Sequence, residues 1–140
     1  MYRSSSRFAA IWLLLMLPIA CNQEKRCGLE SIITLDGQPL DNGYIQFLPI
    51  PPTQGQTHGG EIVEGRFVVP ASNGMLPGTY RVEITKLGKS GQKMADPLGS
   101  GKTFDVHENI IPARYNSESE LTVEVRLGVA NRAEFALTSK

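Results

Sequence analysis

The sequence predicts an all-β fold, about seven short antiparallel strands packed as a two-sheet sandwich. The strongest sign is the stretch after the turn Leu76-Pro77-Gly78, where Tyr80, Val82 and Ile84 point one way and Arg81, Glu83 and Thr85 the other. A period of two in β-branched and aromatic residues marks a half-buried strand. The 14 glycines and 9 prolines fall mostly between apolar runs, as a chain with many turns requires. No helical periodicity follows the first 20 residues, and no internal repeat is visible.

Residues 1–20 do not belong to the sandwich. Arg3 and Arg7 flank a serine cluster, residues 8–17 are an unbroken apolar run, and Pro18-Ile19-Ala20 precede Cys21. A basic start, an apolar centre and small residues before a cleavage point describe a secretory signal peptide. The run is too short for an ordinary transmembrane helix of roughly 20 residues and has no polar face for a buried amphipathic one. Cys21 stands where an exported lipoprotein carries its acylated cysteine, although Pro18 occupies the place usually held by leucine. A small Cys21–Cys27 disulfide in a plain secreted protein is the alternative. Residues 21–28 then form a lipidated cysteine and tether, polar and ending in glycine, and residues 29–140 the sandwich.

Within the domain, Leu29, Ile33 and Leu35 share one face of a first strand, and Asp36-Gly37 makes its turn. Residues 44–48 follow, with Ile45 and Phe47 inward. Residues 49–60 hold three prolines and three glycines and read as an exposed loop. Residues 61–63 and 66–69 read as a hairpin about Glu64-Gly65. Residues 70–77 form a second loop and residues 86–105 a third, rich in Gly and Lys, expected to be mobile. After an apolar patch at residues 110–115, Leu121, Val123, Val125 and Leu127 alternate with polar residues, as do Ala133, Phe135 and Leu137. Both read as antiparallel strands with one apolar face.

Four stretches together resemble a family. Thr34-Leu35-Asp36-Gly37-Gln38-Pro39-Leu40, Glu64-Gly65-Arg66-Phe67, Leu76-Pro77-Gly78-Thr79-Tyr80-Arg81-Val82, and Ile111-Pro112-Ala113-Arg114-Tyr115 with Leu121-Thr122-Val123 follow its pattern in order. The family is that of small secreted lipoproteins abundant in planctomycete bacteria. It carries a carboxypeptidase regulatory-like, transthyretin-related (prealbumin-like) Greek-key sandwich. The resemblance implies that fold and an envelope address, but no reaction. The sequence departs from the family at Ser31, where glycine is frequent, and at Ile62-Val63-Glu64, where an Asp-rich turn is frequent. The second departure removes carboxylates that would otherwise point to calcium.

Composition narrows the function classes. Formal charge is +0 over 140 residues, and loss of Arg3 and Arg7 leaves 12 basic against 14 acidic side chains, about −2. No basic stripe exists for nucleic acid. Gly99-Ser100-Gly101-Lys102-Thr103 ends like a phosphate-binding loop, but Asp96 stands where its first glycine belongs, and Pro112 follows too soon for a helix. Nucleotide is therefore not an expected partner. His58 and His107 have no neighbour at metal-ligand spacing, so no metal and no cofactor are expected. Hydroxyisourate hydrolase is a transthyretin-related enzyme, but its tyrosine-rich C-terminal tetrapeptide has no counterpart in Leu137-Thr138-Ser139-Lys140.

The expectation is a non-enzymatic lipoprotein of the cell envelope, membrane-anchored through Cys21. It would bind a protein or glycan through the loops at residues 49–60 and 86–105. A transthyretin-type hydrolase with His58 or His107 as base, and a carbohydrate-binding module using Tyr44, Tyr80 and Tyr115, are the alternatives.

Overall fold

The structure, a computed structural model, describes residues 25–140. The signal segment and Cys21 lie outside them. Ten strands run in order: β1 (Leu29–Leu35), β2 (Gln38–Pro39), β3 (Gly43–Pro49), β4 (His58–Ile62), β5 (Arg66–Val69), β6 (Gly78–Thr85), β7 (Leu87–Ala95), β8 (Thr103–Asn109), β9 (Thr122–Val125) and β10 (Asn131–Leu137). One sheet has β1 between β10 and, on its other edge, β2 and β5; the second has the order β4-β3-β6-β9. The fold is an all-β sandwich. Among the described residues no helix is long and apolar enough to cross a membrane.

Alternation assigned the inward faces of β1, β3 and β6 correctly, but Leu127, expected to share the apolar face of Leu121, Val123 and Val125, lies past the end of β9 and is exposed. Tyr80, Val82, Ile84, Ile45 and Phe47 are all 0% exposed, and Leu29 and Ile33 face them from the other sheet. Phe47 stacks on Phe67 across the sheets at 6.0 Å. The Tyr80 hydroxyl, the one polar group on that inner face of β6, donates to the Leu76 carbonyl at 2.8 Å. Ser31 is the exception, buried on β1 with a hydroxyl that has no partner.

The reversal at Glu64-Gly65 is tight, with φ of 50° and 73° and Val63 bridged to Arg66. Glycine is required there, since a Cβ on Gly65 would lie 2.9 Å from the Ile33 carbonyl oxygen. Its two strands do not stay together as the expected hairpin. β4 pairs with β3 and β5 with β1, so the turn carries the chain from one sheet to the other.

Strand direction also departs from expectation at the C-terminus. β10 pairs parallel to β1, Leu29 opposite Asn131 and Leu35 opposite Leu137. β9 ends beside Gly78, at the end of the sandwich where β1 begins, and residues 126–130 cross to the other sheet there. β10 must therefore start from the same end as β1. Asn131 fastens the crossover, donating to the Gly28 and Arg126 carbonyls at 3.1 and 3.0 Å and accepting from the Arg126 N–H at 2.8 Å.

The expected mobile loop at residues 86–105 is instead most of an antiparallel ribbon, β7 with β8. Cys27, expected within a tether at residues 21–28, is joined to the sandwich. The Cys27 N–H donates to the Met75 carbonyl at 2.8 Å, Met75 returns the bond at 2.9 Å, and the Cys27 side chain is 5% exposed within the core.

Candidate functional site

The strand registers give the sandwich two distinct ends. β1 and β10 begin, β3 and β9 finish and β6 begins at the end where the chain enters from residue 25. The loops 50–57, 70–77 and 126–130 lie there. At the other end β6 runs past Thr85 into β7, and the ribbon leaves the sandwich. The two loops expected to carry binding, 49–60 and 86–105, sit at opposite ends of the sandwich and form no common site.

The ribbon stands as an arm. Asn109 ties its base, its side-chain oxygen accepting from Lys86 N–H at 3.0 Å and Ile111 N–H at 3.1 Å. Ile110 N–H donates to the Lys86 carbonyl at 2.9 Å, and Ile110 covers Gly88, where a Cβ would fall 2.7 Å from it. Beyond that base no side chain of β7 or β8 is buried. Met94 pairs with Phe104 across the ribbon, 58% and 52% exposed, and Leu98 at the tip is 92% exposed. Lys89 Nζ lies 2.6 Å from the Asp105 carboxylate. That contact holds Asp105 below the usual carboxylate range and raises Lys89. A cleft of about 430 Å³ lies at the arm's root, lined by Tyr44, Glu61, Lys86 and Leu87 among others.

The phosphate-loop look-alike forms the arm's tip. Asp96 accepts from the Leu98 N–H at 3.0 Å and from the Ser100 hydroxyl, and these bonds lower its pKa. Its own carboxylate thus takes up the Leu98 N–H and the Ser100 hydroxyl and sets a negative charge where a phosphate would have to sit.

His58 opens β4 opposite Phe47, near the end where the chain enters from residue 25, and burial with the neighbouring Arg26 charge pushes its pKa down. His107 sits on the arm opposite Lys89. The two histidines are at opposite ends of the molecule and cannot share a reaction centre. Among the described residues no group of three or more His, Cys, Asp or Glu side chains could hold a metal ion. The three tyrosines make no sugar platform either. Tyr80 is fully buried, Tyr44 is exposed on β3, and Tyr115 bonds Thr138 beside Arg114.

Two polar anchors escaped sequence reasoning. Asn116 donates to the Ile111 and Pro112 carbonyls at 3.0 and 2.9 Å, and buried Ser119 donates to the Val82 carbonyl and accepts from Leu121 N–H at 3.2 Å. Together they seat the strand entering β9 against β6. Their only signal was an Asn and two serines in a segment that read as a plain connection.

Comparison with family models, with curated proteins and with solved structures yields no match to this chain.

Proposed function

We propose that this protein is an exported, non-enzymatic lipoprotein of the cell envelope that presents the β7–β8 arm to a protein partner. Cys21 is the acylated residue that holds it to a membrane, and residues 1–20 are the signal removed on export. The motif resemblance to planctomycete lipoproteins with a carboxypeptidase regulatory-like domain supports that address. One observation carries the binding role: the arm leaves the end opposite the tether and packs against none of its own core. An anchored domain so built holds the exposed apolar side chains of the arm, Leu98, Met94 and Phe104, away from the membrane.

The anchor is tested by mass spectrometry of the native N-terminus. An acylated Cys21 as first residue is expected; unmodified Cys21 bonded to Cys27 would make this a soluble secreted sandwich. The arm is tested by joining Leu87 to Asn109, which face each other across the ribbon, through an Asn-Gly turn. The shortened protein should melt as the parent does and lose the partner that a photo-crosslinker at Leu98 captures in native membranes. Retention of that partner would remove the arm from the function.

A further inference from the structure

We propose that the tethered end of the sandwich is itself a membrane-docking face, seated on anionic phospholipid. This rests on the anchor at Cys21 and goes beyond it, because acyl chains alone leave the orientation of the domain free. Lys25 follows Cys21 by four positions, so even a fully extended link reaches only about 14 Å. No slack follows, since Arg26 donates to the Gly74 carbonyl at 3.1 Å and Cys27 is locked to Met75. Whatever holds Cys21 must therefore lie close to this end.

The surface found there suits a lipid headgroup layer. Val129 and Leu127 are 58% and 47% exposed at the tip of the β9–β10 crossover. Leu127 borders an open depression of about 480 Å³ with Pro52, Leu76, Pro77 and Lys25. The loops 50–57, 70–77 and 126–130 contain no Asp or Glu, whereas Lys25, Arg26 and Arg126 gather beside them. Glu124 engages Arg126 at 3.0 Å, and with Glu24 of the tether also counted the balance remains positive. The opposite end instead carries Asp36, Asp41, Glu64, Glu118 and Glu120 against Lys86, Arg114 and Lys140, a negative balance. The mature charge of about −2 thus conceals a lengthwise asymmetry with its basic, apolar end toward the tether. Basic groups are drawn to anionic lipid, and small apolar side chains beside them enter the headgroup boundary.

The test uses the acylated protein in phosphatidylcholine vesicles, with or without phosphatidylglycerol, containing brominated acyl chains. Cys27 is buried and Cys21 acylated, so an environment-sensitive dye reports only an introduced cysteine. Val129→Cys should be quenched several-fold more than Leu98→Cys, more strongly with phosphatidylglycerol and less at high salt. Adding Leu127→Glu should return the Val129 dye to water while the protein still floats with the vesicles. A Val129 dye no more quenched than Leu98 in floating protein would overturn the docking face and leave the anchor standing. Indifference to phosphatidylglycerol would overturn its anionic preference, and protein that fails to float would remove anchor and face together.

Discussion

β6 and β7 are nearly one strand, separated only by Lys86, yet they belong to different physical regimes. β6 buries Tyr80, Val82 and Ile84 completely, between β3 and β9 and beneath the opposite sheet. β7 has a single partner, β8, and buries no side chain. Backbone hydrogen bonding is available to both. What separates them is apolar burial, about 25 cal/mol per Å², against a net hydrogen-bond gain of only about 0.5–1.5 kcal/mol. An isolated two-stranded ribbon is marginal in water. The arm is held by its base at Asn109 and Ile110, and the sandwich by its interior.

The sharpest way to break this contrast is to truncate one aromatic in each region. Phe47→Ala should cost about 3–5 kcal/mol in chemical denaturation, from lost transfer energy and the cavity left against Phe67. Phe104→Ala should stay within about 0.5 kcal/mol, as exposed sites do. Comparable losses would mean that the arm folds back onto the body.

The crossover offers the next test. Asn131→Ala removes the bonds to Gly28 and Arg126 that fasten β10 beside β1, and a loss of about 1–3 kcal/mol is expected. Thermal melting would read it, and an unchanged midpoint would show that the parallel pairing needs no such fastening.

Cys27 and Ser31 make a smaller pair with opposite signs. Cys27→Ser puts a hydroxyl into the core beneath Met75 and should destabilise by about 1–2 kcal/mol. Ser31→Ala removes a buried hydroxyl that has no partner and should stabilise by about 1 kcal/mol. If Ser31→Ala destabilises instead, that hydroxyl has a partner in solution.

The smallest effect belongs to the arm's own charge pair. Asp105 is depressed by Lys89, so its contribution is present above the ordinary carboxylate pKa of about 3.9 and disappears as pH falls through the lowered folded value. Lys89 is raised, so its share is complete below about 10.4 and lost as pH rises through its higher folded value. Pairing in the ribbon should therefore be tightest between about pH 4 and pH 10. Backbone chemical shifts of Lys89 and Asp105 should move outside that window while those of Val82 stay still. Identical drift in both would show that the pair couples to the body.

Two kinds of information separate along this chain. The sequence by itself determined which side chains face inward, because alternation in a strand is a local property: Tyr80, Val82 and Ile84, or Phe135 and Leu137, are inward whatever lies beside them. It also determined the reversal at Glu64-Gly65, since positive φ at both positions is a demand on two adjacent residues. Nothing in a period of two names a partner or a direction. That β4 and β5 part into different sheets, that β10 runs parallel to β1, and that residues 86–105 form an arm far from the loop at 49–60 were decided only by tertiary structure. Each depends on backbone bonds between residues distant in sequence, and Gly- and Lys-rich strands such as β7 form those bonds without any apolar pattern to announce them.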